Sequence, residues 1–160
     1  MIKEKFTNEV SQSGFGIDKK MAREVHFSRG EMNGSTSSLR YYEILPGIDI
    51  VYNSFHSDQV SEVQYKNDGE QVIEINFCLE GCFQCILDGK VFSLEEGEIE
   101  AHLWGIPKRD AKFPRGEYRG VSLLVAPEKA VKNLMKCSPN LILICAIYWM
   151  VSNGMMELCG

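Results

Sequence analysis

Residues 71–100 read QVIEINFCLEGCFQCILDGKVFSLEEGEIE and carry the pattern that decides the fold. Apolar and polar residues alternate along the first part of this stretch, which is the period of a β-strand. Gly81 is expected to break that strand, and 82–87 is predicted as its partner strand. Asp88-Gly89 is typical of a two-residue hairpin, because the favoured turn needs positive φ at both central positions. Glu95-Glu96-Gly97 marks a further turn, so the stretch predicts short antiparallel strands.

The same alternation of short strands and turns continues on both sides of this stretch. Further strands are predicted at 41–45, 48–55, 60–65, 90–94, 98–104 and 118–125. The segment 107–115 is polar and is predicted to be a loop. Many short strands with no helix between them indicate an antiparallel barrel or jelly roll. Closure is expected because an open sheet of short strands would expose its edges.

The two ends of the chain differ from this central region. Residues 1–40 have few periodic apolar positions and are predicted to be an N-terminal arm with one or two edge strands, followed by a β-barrel over 41–126. Pro127 suits the first turn of a helix, so 127–160 is predicted to be a helical segment. Within it, 141–151 is apolar on all sides and must be buried. We therefore expect a homodimer that forms through 127–160.

Size and charge exclude several classes of protein. The chain has 160 residues, a formal net charge of −5 and six cysteines. An acidic balance gives it no basic face for nucleic acid. No apolar run reaches the roughly 20 residues that cross a bilayer, and the first residues lack a signal-peptide core. We expect a cytoplasmic protein with free thiols and no membrane contact.

Short motifs in the central region resemble the cupin signature. They are Leu79-Glu80-Gly81, Asp88-Gly89 and Leu94-x-x-Gly97-Glu98. The stretch 113–122, which reads FPRGEYRGVS, and the later Pro127-Glu128 are similar to a segment of one subgroup of AraC-type transcription regulators. Together, these motifs span about 40–130.

This resemblance implies a fold and a function. The fold is a cupin-like double-stranded β-helix, a mainly β jelly-roll barrel with C-terminal helices. The barrel of such a regulator binds a small-molecule effector, and the helices pair two subunits. DNA is contacted only through a helix-turn-helix domain, which does not occur within these 160 residues. The resemblance therefore implies a ligand-sensing and dimerisation domain of an AraC-type regulator, and not an enzyme.

Enzymatic cupins differ from this chain in their histidines. They hold a metal with a His-x-His pair, because alternate residues of a strand point into the barrel. The histidines here are His26, His56 and His102, and none belongs to such a pair. We therefore predict no catalytic residue, no metal and no cofactor. A small cupin enzyme, such as an isomerase or a metal-dependent oxygenase, is one alternative. A pure dimerisation module without a ligand is another.

A candidate ligand site follows from strand alternation. His102 and Trp104 fall on one face of their strand. They could join Glu74, Asn76 and Cys78, which share a face of the strand over 71–80, as the few polar groups of an apolar pocket. A solvated sheet face is the other interpretation, and the pattern does not choose between them. Under both, the opposite face is expected to be core; it carries Ile73, Ile75, Phe77 and Leu79.

One cysteine pair has the spacing of two zinc ligands. Cys82 and Cys85 are separated by two residues, but no second Cys pair or His pair accompanies them. They lie within predicted strands, so we expect two buried thiols instead of a metal site.

Overall fold

The computed structural model describes residues 2–30, 36–57, 71–87, 89–104, 106 and 108–137. These residues form two helices and nine strands. In chain order they are α1 (Ile2–Gln12), β1 (Gly16–Lys20), β2 (Glu24–Gly30), β3 (Thr36–Leu45), β4 (Ile48–His56), β5 (Ile73–Leu87), β6 (Lys90–Glu95), β7 (Ile99–Leu103), β8 (Lys108–Lys112), β9 (Tyr118–Val125) and α2 (Pro127–Cys137). The strand predicted at 60–65 and the apolar segment 138–160 lie outside the described residues.

Every pair of neighbouring strands is antiparallel. The order is β1-β2-β3-β4-β9-β5-β6, and β7 and β8 also pair with β5. The predicted fold class, mainly β with antiparallel strands and a helix after the last strand, is confirmed. The β5–β6 hairpin also forms where Gly89, with a φ of 75°, provides the positive angle that its turn requires.

Strand β5 is the longest element of the fold. It continues through Gly81, where the prediction placed a break, so 82–87 is not a partner of the preceding segment. The first part of β5 lies between β9 and β7, and its last part lies between β6 and β8. Gly81 has a φ of 87°, and a Cβ there would overlap the carbonyl oxygen of Glu117. Glycine therefore lets the strand change partners without ending.

The predicted polar loop at 107–115 is wrong in its first part. Residues 108–112 form β8, which pairs with β5 at Gln84, Ile86 and Leu87. Backbone hydrogen bonds to an open strand edge need no apolar side chains, so the polar sequence concealed this strand. Charged residues are a common way to keep such an edge strand from pairing further.

The N-terminal residues contribute more to the fold than an arm with edge strands. Ile2, Phe6 and Val10 recur every four residues on α1, and all three are buried. The ring of Phe6 lies 5.1 Å from the ring of Tyr41 and 5.9 Å from that of Phe27. This spacing is one face of a helix, and it packs α1 against strands β2 and β3.

The sheet curls around two groups of buried side chains. The first core joins α1 to residues as far apart in the strand order as Val25 of β2 and Trp104, which follows β7. The second core contains Cys78, Leu94, Phe113 and Tyr118. Because strands at opposite ends of the order share one core, the sheet must be strongly curved, with both cores on its concave face.

Helix α2 follows β9 and packs at the turn between β3 and β4. Asn133 donates from Nδ2 to the carbonyl oxygen of Pro46 at 3.1 Å. A Cβ at Gly47 would lie 2.6 Å from the backbone nitrogen of Ala130, so the helix approaches this turn closely. Within the part of the chain that the structure describes, no helix has the length and apolar character to cross a bilayer.

Candidate ligand-binding site

A layer of polar side chains crosses the concave face between the two apolar cores. Neighbouring strands β4, β9, β5 and β7 each contribute to it at inward positions. The residues are Asn53 on β4, Ser122 on β9, Glu74 and Asn76 on β5, and Glu100 and His102 on β7. On each of these strands, apolar residues occupy the next inward position on one or both sides of the layer. On β4, for example, Val51 and Phe55 flank Asn53. We call these six residues the polar layer.

His102 occupies the centre of one half of the polar layer. Its Nε2 lies 3.0 Å from Oε2 of Glu74, and its Nδ1 lies 3.2 Å from Oε2 of Glu100. The His102 side chain is 1 % exposed, and the carboxylates are 11 % and 10 % exposed. The imidazole is thus held between two buried carboxylates, an arrangement that is expensive to desolvate unless the charges compensate one another.

A chain of hydrogen bonds forms the other half. Asn53 donates from Nδ2 to Oγ of Ser122 at 2.8 Å, and Ser122 donates to Oδ1 of Asn76 at 2.5 Å. Asn76 then donates from Nδ2 to Oε1 of Glu100 at 2.9 Å. These three hydrogen bonds connect four strands into one network, so the loss of one member weakens the hydrogen bonds of the others.

The five predicted site residues are all buried, but they do not form one cluster. Glu74, Asn76 and His102 belong to the polar layer. Cys78 lies in the second core, where burial raises the pKa of its thiol. Trp104 lies in the first core, with Nζ of Lys5 5.0 Å from the centre of its ring. Cys78 follows Asn76 on the inward row of β5, and Trp104 follows His102 in the same way after β7. The two residues therefore lie on opposite sides of the polar layer, one in each core.

The buried face of β5 is the one that carries the polar residues, and not the one that carries Ile73, Ile75, Phe77 and Leu79. Glu74, Asn76 and Cys78 point inward, so the solvated-face interpretation is wrong. Ile73 is buried as expected, but the prediction that the rest of its face would be core is also wrong. Ile75 and Phe77 are only partly buried, and Leu79 is 48 % exposed. Alternation gives the period of a strand but not which side faces the interior; Glu74 lies opposite His102 on the side that is buried.

Three members of the polar layer were missed by the sequence interpretation: Asn53, Glu100 and Ser122. A signal for Ser122 exists, because it is the polar residue of the apolar run 121–125. Glu100 lies two residues before His102 and therefore shares its face. Neither signal is specific without knowledge of which strands are neighbours.

A separate buried carboxylate lies beside the first core. Asp49 on β4 is 2 % exposed. Burial raises its pKa from the ordinary 3.8 to about 6, although the Tyr41 hydroxyl and the Lys3 ammonium partly offset this effect. Lys3 itself donates to the carbonyl oxygens of Met21 and Ala22 at 2.7 and 2.6 Å. The pKa of the Asp49 carboxyl therefore lies well above that of an exposed aspartate.

The cysteine pair with the spacing of two zinc ligands lies within the described residues. Cys82 and Cys85 are buried, as predicted, and neither forms a disulfide with another described residue. Sγ of Cys82 lies 3.2 Å from Oε1 of Glu95, and burial raises the pKa of this thiol. No group of three or more His, Cys, Asp or Glu side chains in the described ranges has the arrangement of a metal site.

Comparisons with known proteins find distant structural similarity to cupins. No family model matches the chain, and no curated protein matches it. The cupin domain of an XRE-family transcriptional regulator from Enterobacter cloacae matches 54 % of this chain and 95 % of its own, with 16 % identity and a TM-score of 0.43. An RmlC-like cupin protein from Desulfovibrio desulfuricans matches 56 % and 82 %, with 16 % identity and a TM-score of 0.44.

A third match is longer than the present chain. It is an HTH_3-family transcriptional regulator from Vibrio cholerae, with 17 % identity and a TM-score of 0.40. The match covers 54 % of this chain and 50 % of the regulator, so this chain spans about half of the regulator's length. At these identities and scores, the matches describe a distant likeness in fold. They assign neither the AraC-type family nor an activity.

Proposed function

We propose that this chain is the effector-sensing module of an AraC-type transcription regulator. A small molecule binds on the concave face of the sheet, at the polar layer. The observation that carries the proposal is the burial of two carboxylates and an imidazole between two apolar cores. Apolar residues would pack this region at lower cost, so buried ionisable groups here are better explained by a function than by stability.

The composition of the layer indicates the kind of ligand. Glu74 and Glu100 supply carboxylate oxygens, which accept hydrogen bonds, and Ser122 keeps one acceptor lone pair beyond its bonds to Asn53 and Asn76. A ligand that carries hydroxyl or amine donors suits such a surface, and its apolar part would contact the flanking cores. Affinity would then come from apolar burial, with the polar layer fixing the orientation.

A route from the layer to α2 supports a sensing role. Ser122 lies on β9, and the residues after this strand enter α2 at Pro127. The backbone nitrogen of Ala126 donates to the carbonyl oxygen of Gly47 at 2.9 Å, which ties this junction to the β3–β4 turn. A ligand that prefers one arrangement of this junction would shift the position of α2.

The remaining parts of the proposal come from the sequence. The protein acts in the cytoplasm, forms a homodimer and contacts DNA through a separate domain. A formal net charge of −5 is consistent with this division of roles, because phosphate contacts require a basic face. The chain itself acts as a sensor without catalytic chemistry.

Ligand screening with matched serine variants tests the proposal. Sugars, amino acids, hydroxy acids and amines at millimolar concentration are each added to the purified chain, and the melting temperature is measured. We expect at least one class to raise it. Ser122→Ala should weaken the binding of that compound about tenfold, because a hydrogen bond in the layer is lost. Ser54→Ala, on the outer side of β4, is the control and should bind like the wild type.

Two results would contradict the proposal. One is a panel in which no compound raises the melting temperature, or in which Ser122→Ala binds as well as Ser54→Ala. The other is stoichiometric binding of zinc, manganese or iron(II) that His102→Leu abolishes, which would favour a cupin enzyme.

A further inference from the structure

A group of buried ionisable side chains lies between α1 and the sheet, apart from the polar layer. Asp49 on β4 is 2 % exposed, Tyr41 on β3 is 1 % exposed and Lys3 on α1 is 8 % exposed. We call these three residues the α1 cluster. A buried carboxylate is costly unless its charge is compensated. None of the three belongs to the polar layer, so the proposed ligand site does not explain their burial.

The neighbours of Asp49 on the sheet do little to compensate its charge. Asp49 lies opposite Glu43 on β3, and like charges that face each other across a strand pair are destabilising. On its other side Asp49 lies opposite Leu124 of β9, whose side chain is apolar. The hydroxyl of Tyr41 favours the ionised carboxyl of Asp49, but burial outweighs this effect. The sheet therefore favours a neutral carboxyl at this position.

Lys3 is the cation that α1 brings to the cluster. Its ammonium donates to the carbonyl oxygens of Met21 and Ala22 at 2.7 and 2.6 Å, in the connection between β1 and β2. Two of the three ammonium hydrogens are used in this way. The charge of Lys3 offsets the burial of Asp49 only in part, because the carboxyl keeps a raised pKa. Lys3 thus ties α1 to the sheet without cancelling the charge of an ionised Asp49.

Helix α1 can leave the cluster without opening the sheet. The strand order does not include it, and its buried side chains, such as Phe6, hold it against the first core. The ring of Phe6 lies 5.1 Å from that of Tyr41, and Nζ of Lys5 lies 5.0 Å from the centre of the Trp104 ring. Detachment of α1 would therefore bring water to the cluster while every strand pair stays intact. Such local opening costs less free energy than unfolding of the whole domain.

Opening of α1 and ionisation of Asp49 should favour each other. While α1 is docked, the buried carboxyl of Asp49 prefers its proton, and its pKa is raised from 3.8 to about 6. Once α1 leaves, water reaches the carboxyl and its ordinary pKa returns. Docking of α1 is therefore strongest below pH 3.8, and it weakens as the pH rises through 6.

We infer that α1 is a pH-sensitive latch over the first core. It is docked when Asp49 is protonated, and it opens locally, with the sheet intact, when Asp49 is ionised. The open state uncovers Trp104 and the end of the concave face that α1 closes. Acid thus closes this end of the interior, and neutral pH loosens it. The inference is independent of the proposed ligand function, because the α1 cluster and the polar layer share no residue.

Hydrogen exchange followed by mass spectrometry tests the latch on separate segments of the chain. The full chain, Asp49→Asn and the control Asp18→Asn are exchanged between pH 4 and pH 8, and the rates are corrected for the intrinsic exchange of free amides. Asp18 is a carboxylate on the exposed strand β1. The opening constants are then compared for peptides from α1 and from β5.

The two segments should respond differently. In the wild type and in Asp18→Asn, α1 should open roughly fiftyfold more at pH 8 than at pH 4, the change that a pKa raised from 3.8 to about 6 produces. In Asp49→Asn, the opening constant of α1 should not change with pH. At every pH, α1 should open more readily than β5, which marks the opening as local.

Three outcomes would overturn the inference. An opening constant of α1 that stays the same from pH 4 to pH 8 removes the latch. An equal change in Asp49→Asn assigns the pH dependence to another group. If α1 and β5 have the same opening constant, the helix leaves only when the whole domain unfolds. This last comparison needs only the wild type, so it holds even if Asp49→Asn folds poorly.

Discussion

His102 and Glu74 face each other across strands β7 and β5, with Nε2 of the imidazole 3.0 Å from Oε2 of the carboxylate. The second nitrogen of His102 is 3.2 Å from Oε2 of Glu100, so one buried ring contacts two buried carboxylates. The interior of the sheet at this point is therefore filled by polar side chains and not by an apolar contact.

Replacing this histidine should destabilise the protein strongly. His102→Leu leaves Glu74 and Glu100 buried without their partner, and breaking a buried pair costs about 3 to 5 kcal/mol. The free energy of unfolding in urea measures the loss. His56→Leu, at the exposed end of β4, is the control and should change it by less than about 0.5 kcal/mol. Equal effects of the two substitutions would show that the buried pair has no special role.

Asp49 gives the protein a pH-dependent stability with a defined sign. Its pKa is raised in the fold from 3.8 to about 6, so the folded protein favours the protonated carboxyl. The stability that this provides is complete below pH 3.8 and is lost as the pH rises through 6. Asp49→Asn keeps a neutral side chain at every pH, so it should be the more stable protein above pH 6, by up to about 3 kcal/mol.

Unfolding of both proteins between pH 4 and pH 8 checks this expectation. The difference in free energy between Asp49→Asn and the wild type should grow from about pH 4 to a little above pH 6 and then level off up to pH 8. Asp18→Asn, on the exposed strand β1, should follow the wild type. A constant difference for Asp49→Asn would mean that the carboxyl of Asp49 does not titrate differently in the fold.

Gly81 should tolerate no side chain. Gly81→Ala combines a positive φ with an overlap between the new Cβ and the backbone of Glu117, and we expect a loss of more than about 3 kcal/mol. Gly97→Ala is a matched control, because Gly97 has a φ of 83° with nothing within 4 Å of the added atom. Its cost should be only about 1 to 2 kcal/mol, which thermal unfolding can separate from that of Gly81→Ala.

Helix α1 should prove to be part of the folded core. Phe6→Ala removes a ring that is 4 % exposed and contacts Phe27 and Tyr41, so a loss of about 3 to 5 kcal/mol is expected. Ile17→Ala on β1, where the side chain is 45 % exposed, should cost less than about 1 kcal/mol. If urea unfolding shows the two variants to be equally stable, α1 does not contribute to the folded core.

The parts of the fold that the sequence predicted are those with local signals. Strands β3, β4, β6 and β9 follow from alternation bounded by glycine, proline or asparagine turns, and α2 follows from Pro127. Both kinds of signal act within a few residues, so they can be recognised without knowing which strands pair in the fold. The helical spacing of Ile2, Phe6 and Val10 was also present, but it is spread over too few apolar residues to stand out.

The parts that could not be predicted depend on contacts between distant residues. The polar sequence of β8 becomes a strand only because an edge of β5 is open to it. Glu74 and Asn76 find their partners, His102 and Ser122, on other strands that are distant in sequence. A period of two is the same for both faces, so the pattern identified the residues of the candidate site but not their surroundings.

The uninterrupted path of β5 has a consequence for how the molecule comes apart. Its first part is the central strand between β9 and β7, and its last part is the central strand between β6 and β8. Neither half of the fold can open without removing the middle strand from the other. The backbone amides of β5 should therefore be among the last to exchange with heavy water, and they should do so only when the whole domain unfolds at once.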